Sequence, residues 1–243
     1  MSDAQPRTPE SLPPIPADEQ AGALSAKLNW LRAGVLGAND GIISTAGLVM
    51  GVAGATTDTS ALLVAGTAGL VAGALSMAGG EYVSVSSQRD TEIAELRHEA
   101  QEIAEDPEGE LRQLAGIYER KGIPADVAHE VAVALTERDA LAAHAESELG
   151  ISPDVRADPW QAAGASAIAF SLGALVPLLV MVLSPVAHRV LLTLGAVVLA
   201  LVPTGLTSAT LGGSGRARPI ARNVVVGLLG MGLTYLVGTV VGG

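Results

Sequence analysis

Apolar residues run through the chain in five long blocks, at 28–55, 61–82, roughly 160–183, 187–211 and 220–242. Each is long enough to cross the ~30 Å hydrocarbon layer of a bilayer as a helix. Polar stretches separate them: TTDTS (56–60), SPVAH (184–188) and GGSGRARP (212–219). Between the second and third blocks the pattern changes to mixed acidic and apolar positions at helical spacing. SQRDTEIAELRHEAQEIAED (87–106) predicts one helix, ended by Pro107. PEGELRQLAGIYERKG (107–122) predicts a second, stopped at Gly122. PADVAHEVAVALTERDALAAHAESELG (124–150) predicts a third, opened by proline and closed by Gly150. All three are amphipathic, so they are expected to pack on one another or on a second copy. The second apolar block runs on into the first of these helices with no breaker between them. Pro177 and Pro203 fall inside apolar blocks, where they are expected to kink the helices.

The expected fold is an all-α membrane protein, with five transmembrane helices and a three-helix insert between helices 2 and 3. Residues 1–26 are polar, with five prolines from Pro6 to Pro16 and no basic segment leading into an apolar one. They are expected to form a disordered tail rather than a signal peptide. Transmembrane helices 1–2 then occupy 27–86, the acidic helical domain 87–158, and transmembrane helices 3–5 159–243.

Composition sharpens this picture. The chain is 49% hydrophobic yet only 2% aromatic, and it holds 29 glycines. Small residues of this kind suit helices that pack closely in a membrane. Without cysteine there is no disulfide and no thiolate metal site, so a metal must be held by carboxylate, imidazole or thioether. Residues 88–158 carry 18 Asp/Glu against 7 Lys/Arg, which accounts for the whole net charge of −11. An acidic chain of this kind is a poor partner for nucleic acid. Of the 14 basic residues, Arg189 alone falls on one side of the predicted membrane and all the others on the opposite side. This puts the N-terminus and the acidic insert in the cytoplasm and the C-terminus across the membrane. Twelve of the basic residues are arginine, and Ala and Gly are abundant. Both features suggest a GC-rich bacterial genome, hence a bacterial plasma membrane.

Within this frame Asp40 stands out, because GANDGIISTAGLVMG (37–51) places it inside a span. A charged side chain at mid-bilayer costs roughly 2.5–3.5 kcal/mol on insertion scales, and such residues usually line a pathway. The structural alternative is a protonated Asp, or one that caps a local break at NDG. On the second span Gly69, Gly73, Met77 and Glu81 follow at intervals of four and share one helix face. That face could set Met77 opposite Asp40, with Glu81 at the cytoplasmic mouth; the plain readings are core packing and an interfacial acid. In the insert Glu92, Glu95, Glu99 and Glu102 fall within an arc of about 80°. A stripe of carboxylates is either a solvated face or a site for a hard or borderline divalent ion. His144 and Glu148, one turn apart, could share such an ion. A different class of function is also open. Glu95 and His98 form an E-x-x-H string, loosely echoed by Asp126 and His129, as in di-iron oxidases. A metal-sensing scaffold that transports nothing is a further alternative.

The stretches GANDGIISTAGLVMGVAGA, AGLVAGALSMAGGEYVSVSSQRD and PWQAAGASAIAFSLGALVPLL, with the acidic insert between the last two, resemble the vacuolar iron transporter family. The resemblance runs from about Leu28 to Gly242. It implies a dimer of five-helix membrane domains with a cation path between the copies. It also implies export of Fe²⁺, often with Mn²⁺, from the cytoplasm in exchange for protons, with no prosthetic group and no enzymatic activity. The family's transmembrane Asp and Met match Asp40 and Met77. The insert's metal-binding carboxylates match Glu99, Glu102, Glu110 and Glu148. The chain departs from the family at Gln113, where a carboxylate is usual, and at His144 and Ala145, where paired methionines are usual. Asn29, Ala33 and Gly69 stand where plant relatives carry further acids. The metal ligands expected overall are Asp40, Met77, Glu81, Glu95, Glu99, Glu102, Glu110, His144 and Glu148.

Overall fold

The computed structural model describes residues 18–151, 158–211 and 215–242. Among these every regular element is helical: α1 (Asp18–Ala55), α2 (Thr59–Glu105), α3 (Pro107–Arg120), α4 (Ala125–His144), α5 (Pro159–Leu183), α6 (Arg189–Leu211) and α7 (Ala217–Gly242). Five of them, α1, α2, α5, α6 and α7, contain segments long and apolar enough to cross a membrane, as the apolar blocks predict. The expected disordered tail lies outside the described residues as far as residue 17. From Asp18 onward the chain is helical, so α1 begins earlier than the boundary at 26 read from the sequence.

The chain divides into two compact units. The membrane unit comprises Leu28–Thr91 and Ala157–Gly243. Its core is apolar and drawn from all five long helices: Ile42, Ala46, Val49 and Met50 of α1, Leu62 of α2, Leu178 and Met181 of α5, Val197 and Leu201 of α6, and Met231 of α7. Leu75, Leu172, Leu183, Leu199, Leu229 and Val241 are instead largely exposed. So much outward-facing aliphatic surface is costly in water and matches hydrocarbon. With so few aromatics to fill gaps, the helices approach backbone to backbone. A methyl group on Gly41 would run into the Phe170 carbonyl, and one on Gly173 into that of Ala38, so α1 and α5 cross where neither has a side chain. Thr204 donates to Asn39 Oδ1 at 3.3 Å and ties α6 to α1. α5 and α6 run as continuous helices through Pro177 and Pro203.

The second unit centres on Glu92–Arg156 and contains the end of α2 with α3 and α4. Asp106 starts α3 by accepting the Gly109 N–H at 2.9 Å, with Pro107 at the first helical position. Past α3, Gly122 turns the chain at φ +93°, a left-handed conformation that glycine adopts without strain. Leu114 and Ala115 of α3 pack on Ala132 and Ala143 of α4. The third insert helix is not the single rod expected from 124–150. Asp139 is extended (φ −167°, ψ 97°), and its Oδ1 accepts the Ala142 N–H at 3.0 Å. It therefore acts as the N-cap of a second helical segment inside α4. After His144 the backbone widens into a π-helical turn, Ala145–Leu149, which Gly150 ends at φ +66°.

Candidate metal sites

The membrane unit holds a cavity of about 220 Å³ lined by Asp40, Ser44, Thr45 and Leu48 of α1, Gly69, Gly73, Ser76 and Met77 of α2, and Phe170 of α5. The small residues of α2 make room for it. A methyl group on Gly69 would strike Leu48, and one on Gly73 would strike the Phe170 ring. Asp40, Ser44 and Ser76 are exposed, so the cavity opens on the surface of the unit. Ser44 donates to the Asp40 backbone carbonyl at 2.6 Å, so its hydroxyl is held one turn from the carboxylate. A carboxylate, a thioether and several hydroxyls thus converge in an otherwise apolar setting. Glu81 is half-buried on α2 and is not part of the lining.

In the insert unit Glu99 of α2, His144 at the end of α4 and Glu148 of the π-helical turn bring one ligand atom each within 4.8 Å of one another. Glu110 of α3 joins them. His144 Nδ1 lies 2.8 Å from Glu99 Oε1, 3.5 Å from Glu148 Oε2 and 3.7 Å from Glu110 Oε2. The π-helical turn matters here because the extra residue per turn re-aims Glu148 relative to His144. Tyr118 of α3 holds the turn through a 3.0 Å hydrogen bond between its hydroxyl and Ser147 Oγ. His144 and Glu99 are almost fully buried. Despite the short separations, Glu99 Oε1, Glu110 Oε2 and His144 Nδ1 are buried without a hydrogen-bond partner. Buried polar atoms are rarely left so, and a cation shared among them would satisfy all three. Burial pushes the Glu99 carboxyl above its ordinary pKa; His144 opposes that shift, while Glu148, Glu110 and Glu102 reinforce it.

The acidic stripe of α2 therefore divides. Glu99 turns into the cluster, while Glu95 and Glu102 are exposed. Glu102 Oε2 lies 2.9 Å from His98 Nδ1, one turn away on the same helix. His98, Asp126 and His129 are exposed as well, so neither E-x-x-H-like pair faces the buried cluster. Sequence reasoning left out the cavity hydroxyls of Ser44 and Ser76, which could have been found, since Ser44 is one turn from Asp40 and Ser76 precedes Met77. Gln113, singled out in the sequence only as a departure from the family, donates its Nε2 to both Glu148 oxygens at 2.7 Å.

Residues 31–239 match the model of the VIT family. The chain is 41% identical to the vacuolar iron transporter of Acanthamoeba castellanii over 210 residues, covering 86% of this chain and 77% of that protein. It is 38% identical to vacuolar iron transporter homolog 1 of Arabidopsis thaliana over 226 residues, or 91% and 90% of the two chains. Vacuolar iron transporter homolog 5 of Oryza sativa is 37% identical over 213 residues, or 87% and 80%. With a family match spanning nearly the whole helical chain and relatives similar along most of their own length, this protein belongs to the VIT family.

Proposed function

We propose that the protein is a divalent-metal transporter that moves Fe²⁺ or Mn²⁺ out of the cytoplasm in exchange for protons. The observation that carries this reading is the membrane-unit cavity shared by Asp40 and Met77. An acid held at the depth of a membrane span is costly and is usually kept for an ion pathway. The thioether beside it adds a soft donor that Mg²⁺ and Ca²⁺ do not favour. The names of the similar proteins support iron as the cargo.

In this reading the acidic insert faces the cytoplasm and collects the ion with Glu99, Glu110, His144 and Glu148. Its negative potential raises the local cation concentration. The ion passes Glu81, one turn beyond Met77 on α2, and is held by Met77 and Asp40. Protonation of Asp40 from the far side weakens that hold and releases it. The cavity's open side is closed by a second copy, so the working unit is a homodimer in a bacterial plasma membrane. The test is Fe²⁺ and Mn²⁺ flux into liposomes containing the purified protein, with and without a pH gradient. Flux driven by an opposing proton gradient is expected. Full proton-coupled flux in Asp40→Asn would overturn the reading.

A further inference from the structure

The insert cluster gathers three carboxylates and an imidazole, and that raises the question of how many ions it holds. We propose that it holds a single divalent ion per chain, because Gln113 occupies the edge of Glu148 that a second ion would need. The inference deepens the proposed transport reading and rests on it only for the kind of ion involved.

The buried geometry points to a ligand independently of the local acidity. Glu99 Oε1 and His144 Nδ1 are both shielded from solvent and lack hydrogen-bond partners, although they lie 2.8 Å apart. The ligand atoms of Glu99, His144 and Glu148 lie within 4.8 Å of one another. With metal–ligand bonds of about 2.1 Å, a set of that breadth encloses one ion. Paired ions sit about 3.5–4 Å apart and are usually clamped by shared ligands. The carboxylate most exposed to a second ion is Glu148, since Glu99 is buried within the cluster. Gln113 Nε2 lies at 2.7 Å from both Glu148 oxygens, which places it on the chelating side between them. An amide donor there supplies the hydrogen of a neutral group where a cation would otherwise bridge.

The test uses full-length protein in detergent carrying Asp40→Asn, so that the membrane cavity does not contribute. Bound Mn²⁺ is counted by elemental analysis after saturation and desalting, and its electron paramagnetic resonance spectrum is recorded. One Mn²⁺ per chain is expected, with the hyperfine pattern of an isolated ion, and adding His144→Ala should weaken its binding at least tenfold. Gln113→Glu should raise the count to two and produce the broadened spectrum of a spin-coupled pair. Two coupled ions in the protein with Gln113 intact, or none, would overturn the inference, as would an unchanged count in Gln113→Glu. None of these outcomes depends on whether an ion crosses a bilayer, so liposome flux still decides the transport reading separately.

Discussion

The membrane cavity and the insert cluster offer oxygen ligands under opposite conditions. In the cavity a single carboxylate, Asp40, stands exposed at the mouth of a recess lined by glycine, serine, threonine and apolar side chains. In the cluster three carboxylates and an imidazole crowd together, and the deepest of them are sealed from solvent. A lone acid in an apolar surround can change its charge by taking up one proton, which suits a site that must release its ion. A crowded set of buried acids gains most when a multivalent cation joins it, which suits a site that captures its ion. The difference teaches that similar donor atoms need not do the same work. The number of neighbouring charges and their access to water decide how tightly a site grips an ion and what loosens it.

Exchanging the two roles by mutation tests that contrast, and Asp40 should give the largest effect. Asp40→Asn is expected to lower Fe²⁺ flux into liposomes by at least about tenfold while the insert still holds its ion. Loss of insert binding in that variant would break the separation between the sites. Packing comes next. Gly41→Val places a branched side chain against the Phe170 carbonyl where α1 crosses α5, and should destabilise the membrane unit by about 1–3 kcal/mol in thermal or denaturant melts. An unchanged melt would mean that the helices do not need the close approach described here. His144→Ala is the converse of Asp40→Asn. It should weaken metal binding by the insert about tenfold, or ~1.4 kcal/mol, as read by titration of the full-length protein. Added metal is expected to raise the melting temperature of the insert, and His144→Ala should lessen that rise at a given metal concentration. The smallest effect belongs to Glu95→Gln, which removes an exposed acid beside the cluster's helix. Metal affinity there should stay within about twofold, since only screened, long-range charge is lost. A drop as large as that of His144→Ala would show that Glu95 is a ligand.

Much of the architecture was legible in the sequence because the bilayer imposes its own period and length. Five apolar blocks gave five long helices, and the proline and glycine signals located the ends of α3 closely. Asp40 was conspicuous because a charge inside an apolar block has no ordinary explanation. The insert was harder to read. Four acids on one stripe of α2 looked equivalent, and nothing local distinguished Glu99 from Glu95 or Glu102. That distinction depends on which side of α2 the other insert helices cover. The break at Asp139 was missed because TERDALAAH keeps a helical apolar rhythm across it, and only the side-chain cap reveals the change of direction.

The sequence by itself determined that this chain is helical, that five segments suit a bilayer, that its acidity resides in one insert, and that any metal must be bound without thiolate. Those properties follow from hydropathy, residue chemistry and period, which act within a few turns of helix. Only the tertiary structure decided that Met77 shares a cavity with Asp40 while Glu81 stands outside it. It also decided that Glu99, Glu110, His144 and Glu148 form one buried cluster, with Gln113 on its flank. The physical reason is the same in both cases. Ligands drawn from different helices meet only where packing sets the helices' rotation and separation, and those depend on the glycines and core side chains of every partner at once.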